Sequence, residues 1–219
     1  MNDQLILKFP IHNVYKKEDF YVSSSNQAAY DFIDSWPKWI KRIVNIFGPS
    51  GSGKSHLASV LEKKTSSLKV NSKKLNENTF LKFKTKESLI IENLDEHISE
   101  KLLFSLWNIA LQDNKYFLIT SKKPINTYKF KLLDLKSRIN STLAIGINLP
   151  NDDLISVILA KNFSDKQIKV EKKHIDYIIK RIDRSYEKIA QFILTLDKYS
   201  LKKGSPFSLK LIKEVLKMI

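Results

Sequence analysis

The sequence predicts an α/β fold: a parallel sheet flanked by helices, built around a phosphate-binding loop and followed by a small all-α lobe. Three observations predict it. First, Gly48, Pro49, Ser50, Gly51, Ser52, Gly53, Lys54 and Ser55 match G-x-x-x-x-G-K-[ST] without a mismatch, between a strand-length apolar run (43–47) and a helical pattern (56–63). Second, strand-length apolar runs alternate with helical patterns as far as Pro150. Third, from Asn151 onward only helical patterns remain.

Taken in order, the chain opens with Gln4, Leu5, Leu7 and Phe9, an apolar alternation before Pro10 that reads either as an edge strand or as a short peptide docking into a partner. Ser23 to Asn26 form a helix-start signature, and Ala28, Ala29, Phe32, Ile33 and Trp36 make an apolar stripe stopped by Pro37. The loop follows. Three of the five glycines in the chain lie within it, where they let backbone N–H groups turn inward toward a polyphosphate, and the next helix adds its positive end. In such a loop Lys54 reaches the β and γ phosphates and the Ser55 hydroxyl holds Mg²⁺; His56 opens the helical run.

A weak strand (68–70) and a polar stretch without pattern (71–86) lead to a strong apolar run ending in Glu92 and Asn93. This has the form of a strand whose terminal acid serves Mg²⁺ while a second acid orients an attacking water. The first position is Glu92; the second is the amide Asn93, which can hydrogen-bond a water but cannot act as a base, with Asp95 two residues on. Leu102, Leu103, Leu106, Trp107 and Leu111 read as the core face of a helix over 99–112. A third strand (116–121) ends in Thr120 and Ser121, candidates for touching a terminal phosphate. A helix over 132–138 ends in Arg138, and a fourth strand spans 143–149. The remaining helices are expected over 152–162, 171–182, 186–201 and 208–218, the last with Ser208 as N-cap.

Composition narrows the function classes. The 219 residues are 42% hydrophobic, enough for a packed core, and lack cysteine, which excludes disulfides and thiolate metal sites. His12, His56, His97 and His174 have no ligand spacing. No apolar run approaches 18 residues and no leader is seen, so no membrane partner and a cytoplasmic location are expected. The net charge of +15 reads as a solvated lysine surface or as a DNA contact. Only four of the 38 basic residues are arginine, namely Arg42, Arg138, Arg181 and Arg184, so each is worth examining.

These motifs in this order resemble an AAA+ ATPase, and more narrowly the DnaA-related regulators of the Hda type. The resemblance covers nearly the whole chain. The segment from Glu18 through Phe20 and Val22 to Ala29 is similar to the border of the adenine pocket in that family. Residues 53–57 are similar to its GK[ST]HL. Residues 118–124 resemble the sensor 1 region, with Lys122 where an Asp is usual. Ser137 and Arg138 resemble the arginine finger, and Ile182 to Arg184 resemble the sensor 2 arginine of the lid. Gln4, Leu5, Leu7 and Phe9 look like a sliding-clamp-binding peptide. The resemblance therefore implies an AAA+ core at 17–150, a clamp-binding peptide and linker at 1–16, and a helical lid at 151–219. It implies ATP or ADP with Mg²⁺ as cofactors, and DnaA and the clamp as partners, with a homodimer also open. Two features point to a regulator rather than an initiator: no helix-turn-helix follows the lid, and the 38 residues from Lys54 to Glu92 leave little room for the helices with which initiators grip single-stranded DNA. The implied activity is stimulation of ATP hydrolysis by DnaA. The alternatives are a self-sufficient DNA-stimulated ATPase resembling helicase loaders, which fast intrinsic turnover would reveal, and a non-hydrolytic nucleotide-bound adaptor, which would still regulate without Arg138.

Overall fold

The computed structural model describes residues 20–165, 170–203 and 208–219, with side chains omitted at 201–203. Gln4, Leu5, Leu7 and Phe9 lie outside the described residues.

The sheet is built from β1 (Ile43–Phe47), β2 (Ser67–Asn71), β3 (Ser88–Leu94), β4 (Tyr116–Ser121) and β5 (Leu143–Gly146), all parallel, in the order β2-β3-β4-β1-β5. The inner strands β1, β3 and β4 show why they are strands: successive side chains enter opposite faces, and both faces are buried, so the runs are almost continuously apolar, while the edge strands β2 and β5 are only half-buried. Ile43, Leu89, Ile91, Phe117 and Ile119 enter one core with Phe83, Leu103, Leu106 and Trp107. Val44, Ile46, Ile90 and Leu118 enter the other with Ala29, Ile33, Leu57 and Leu61.

The first core is covered by α3 (Asn78–Lys84), α4 (Glu100–Gln112) and α5 (Leu133–Asn140), the second by α1 (Gln27–Asp34) and α2 (Lys54–Lys64). Ser99 caps α4 by accepting from the Leu102 N–H. Three expectations change. Leu111 lies on the outer face of α4 and is exposed rather than core. The stretch 71–86 is not featureless: it holds a 3₁₀ turn (Ser72–Lys74) and α3, whose buried Phe83 anchors it to the sheet. The final strand closes at Gly146, shorter than its apolar run, because only Val44 to Phe47 are opposite it.

Four further helices, α6 (Asp152–Asp165), α7 (Lys172–Ile179), α8 (Tyr186–Lys203) and α9 (Leu209–Leu216), bury a core of their own from Ile155, Leu159, Ile178, Phe192, Leu196 and Ile212. Ser208 caps α9 by accepting from the Leu211 N–H. Asn151 Oδ1 accepts from the Leu154 N–H at the start of α6, while its side-chain amide donates to Ser24 Oγ and its backbone N–H to Ser25 Oγ. The segment before α1 is thereby stitched to the entrance of the helical part. Among the described residues no helix is long and apolar enough to cross a membrane.

Candidate nucleotide-binding site

β1 delivers the chain to the loop, and α2 carries it away. Two positions demand glycine: Gly51 has φ +79° and Gly53, the N-cap of α2, has φ +89°, both in the left-handed region that side chains resist. The Lys54 ammonium is buried under the loop and donates to the carbonyls of Gly48 (2.8 Å) and Pro49 (2.7 Å) and to Ser52 Oγ (3.3 Å). Burial, and then repulsion from Lys122, pull its pKa down to about 8. Ammonium charge is therefore present below that value and lost as pH rises through it. Affinity for a polyphosphate should accordingly fall between pH 7 and 9. Lys54→Ala should weaken binding by ~1.5–3 kcal/mol, the worth of a charge-assisted contact, and leave a pH-independent remainder. Calorimetric titration of ADP and ATP checks both, and unchanged affinity in the variant would remove the loop assignment.

Ser55 and His56 open α2. The His56 ring meets Phe20 edge to face (5.3 Å), and Phe20 stacks on Tyr30 (5.8 Å). A Cβ built on Gly53 would come within 2.7 Å of the Phe20 ring, so this aromatic lies directly against the loop. Val22 is exposed, and neither it nor Phe20 lines the cavity described below.

The opposite wall comes from the carboxyl ends of β3 and β4. Asn93 adopts φ +57°, a conformation its short amide tolerates better than most residues. It is held there by a donor and an acceptor: its N–H donates to Thr120 Oγ1 (3.1 Å), and its carbonyl accepts from Ser72 Oγ (2.8 Å). The bulge between Ile91 and Leu94 follows from this turn. Ser121 Oγ donates to the Lys123 carbonyl (2.7 Å) and accepts from Asn45 Nδ2 (2.9 Å). The two strand-end hydroxyls are thus engaged in holding the protein's own backbone. Glu92 does not line the cavity; its Oε1 is buried and has no hydrogen-bond partner among the described residues.

Asn45 is the residue that sequence reading missed. It is fully buried in the middle of β1, where its amide donates to the Ile119 carbonyl and Ser121, and its oxygen accepts from the Ile125 N–H. One side chain therefore pins the end of β4 and the loop beyond it. The only signal in the sequence was a polar residue inside an apolar strand run.

The helical part reaches the loop through α8: a Cβ on Gly51 would come within 3.0 Å of Tyr186 Cβ. Tyr186 donates its hydroxyl to the Asn148 carbonyl (3.2 Å), and burial pushes its pKa up to about 12. Arg184 forms an exposed ion pair with Asp152 (2.9 Å) and does not line the cavity. Arg138, in the last turn of α5, lies over the Phe104 ring of α4 (5.2 Å) and likewise lies outside the cavity lining.

Between these walls lies a cavity of about 1110 Å³. Its lining brings together Ser50 through His56, Asn93, Asp95, Ser121 and the lysines Lys54, Lys73, Lys122 and Lys123. A glycine-turned loop with a buried ammonium, at the carboxyl end of a parallel sheet and rimmed by cations, fits a nucleoside polyphosphate.

Domain III of the Thermotoga maritima replication initiation protein DnaA superposes with a TM-score of 0.76 at 18% identity, covering 95% of this chain and 98% of that one. This chain has the AAA+ fold of DnaA domain III. AMPPCP-bound DnaA from Aquifex aeolicus shares the AAA+ fold at a TM-score of 0.69 and 16% identity, over 84% of this chain and 65% of that one. The Thermotoga maritima RuvB Holliday junction branch migration motor is a further structural likeness, with a TM-score of 0.63 and 14% identity over 82% of this chain and 62% of that one. No family model matches the chain. In sequence it is similar to the chromosomal replication initiator DnaA of Borreliella afzelii, 26% identical over 232 residues, covering 94% of this chain and 48% of that protein. DnaA of Borrelia turicatae is 26% identical over 252 residues, covering 96% of this chain and 52% of that protein. The chain thus spans about half the length of the curated relatives it matches.

Proposed function

We propose that this AAA+ chain is a nucleotide-binding regulator of replication initiation, which binds the sliding clamp through Gln4, Leu5, Leu7 and Phe9 and stimulates ATP hydrolysis by DnaA. The observation that carries the reading is the position of Arg138. Arg138 stands on the α4–α5 surface against Phe104 and outside the cavity lining, where it can serve a neighbouring molecule. The sequence likeness to DnaA supports DnaA as that neighbour, and the AMPPCP bound to the Aquifex aeolicus DnaA supports an adenine nucleotide here.

In this reading Gly48 to His56 cradle the phosphates, Phe20 and Val22 border the base, and Arg184 reaches the nucleotide by leaving Asp152. Ser55 and Glu92, whose buried Oε1 has no hydrogen-bond partner among the described residues, would hold Mg²⁺. No group of three His, Asp or Glu able to hold a metal occurs among the described residues, so phosphates and water would complete the coordination, as is usual for this ion. Bound Mg²⁺ would neutralise charge that develops on the transferring phosphoryl group. Asn93 in the water-orienting position offers a hydrogen bond and no base, so intrinsic hydrolysis should be slow. The stretch between β2 and β3, a 3₁₀ turn and the seven-residue α3, supports a regulator over an initiator.

The test is ATP hydrolysis by DnaA measured with this protein present, with and without clamp-loaded DNA. Stimulation that requires the loaded clamp is expected; its absence under both conditions would overturn the reading. Fast turnover by this chain alone would instead favour a self-sufficient DNA-stimulated ATPase. Replacing Gln4, Leu5, Leu7 and Phe9 with alanine should abolish clamp binding and leave the melting temperature within a degree or so. A large loss of stability would show that the segment is an edge strand of the fold.

A further inference from the structure

The cavity has cations that the phosphate loop does not account for. Lys73 stands on the 3₁₀ turn after β2, and Lys122 follows β4, so the two enter from different walls. Their neighbours are already committed. Lys123 is paired with Glu96 at 2.7 Å and lies over the Tyr128 ring. Asn93 and Ser121 spend backbone and hydroxyl groups on internal bonds. Neither Lys73 nor Lys122 has an acidic partner among the described residues.

The backbone beneath each lysine is fixed all the same. Asn71 Oδ1 accepts from the Lys73 N–H, and the adjacent Ser72 is bonded to Asn93. On the other side, Ser121 bridges to Lys123 across Lys122 and is held by Asn45. Lys122 is close enough to Lys54 for their ammonium groups to repel. Four lysines against the two carboxylates of Asp95 and Glu96, one of them already paired with Lys123, leave the cavity net positive, a cost of the fold that an anion removes.

We propose that Lys73 and Lys122 form a second anion subsite, beyond the phosphate loop, that grips the phosphate farthest from the nucleoside, so that the site selects ligands by their number of phosphates. This rests on the loop binding a nucleotide as argued above. It also assigns to Lys122 the contact with the terminal phosphate: Ser121 gives its hydroxyl proton to the Lys123 carbonyl, and Thr120 is buried and outside the cavity lining.

The experiment is a calorimetric series with ADP, ATP and adenosine 5′-tetraphosphate at one ionic strength, on the full chain and on K73A, K122A, the double alanine variant and the double arginine variant. Affinity should rise along the series in the natural protein. In the double alanine variant the ATP-to-ADP affinity ratio should fall about tenfold, as expected for losing two solvent-accessible charge-assisted contacts, while ADP affinity changes less than about twofold. Arginine at both positions should preserve the ratio. An unchanged ratio, or equal losses for ADP and ATP, would overturn the subsite while leaving the loop assignment intact. Failure of the natural protein to bind any of the three would overturn both.

Discussion

Arg138→Ala should leave this protein's own affinity for ADP and ATP nearly unchanged while removing its stimulation of DnaA, a loss of up to about 10³-fold if the arginine acts as a finger supplied in trans. The two halves of the expectation have separate physical grounds. Nucleotide binding should survive because Arg138 does not line the cavity and touches Phe104 instead. Stimulation should vanish because a guanidinium placed on transition-state charge in a water-poor interface contributes far more than the same group in solvent. The stacking on Phe104 is only partly shielded and is worth ~0.5–1 kcal/mol, so the variant should remain folded. Paired measurements of nucleotide affinity and DnaA-dependent turnover decide the matter. Equal loss in both would place Arg138 in the protein's own pocket, and the regulator would lose its mechanism. Full retention of regulation would favour the non-hydrolytic adaptor.

The second large effect is on stability. Trp107 is 2% exposed at the centre of the core between the sheet and α4, and its ring meets Phe117 edge to face at 5.4 Å. Trp107→Ala should destabilise the fold by ~3–5 kcal/mol, since the lost transfer energy is compounded by a cavity that rigid strands on one side cannot collapse. That is a large part of the ~5–15 kcal/mol that usually separates folded from unfolded domains. Denaturant titration measures it directly. A loss below ~1 kcal/mol would mean that α4 repacks onto the sheet freely, contrary to the burial of Leu103, Leu106 and Trp107 in one core with residues of β3 and β4.

Much of the candidate site was written locally. The loop from Gly48 to Ser55 is contiguous, and its glycines, lysine and hydroxyl follow from what a turning backbone needs near phosphate. The strands around it were legible because burial on both faces leaves few residue types permissible. The helices of the C-terminal part were legible because three-and-four spacing is a property of one helix. The sequence by itself thus determined the fold class, the order of the strands and of the helices other than α3, and the identity of the phosphate-binding segment.

Tertiary structure alone decided the rest. α3 has too little periodicity to announce itself, and it is secured by Phe83 packing on the sheet. Leu111 has the spacing of a core residue but falls past the edge of the covered face. Thr120 and Ser121 looked like free hydroxyls at a strand end; their partners are Asn93, Asn45 and the Lys123 carbonyl. Asn45 meets the Ile125 N–H across 80 positions of chain. A hydrogen-bonding group is spoken for, or left facing a ligand, according to which distant segments the sheet order places beside it. Short-range backbone preference sets the pattern of elements but carries no information about that, so the elements could be read along the chain and the committed polar groups could not.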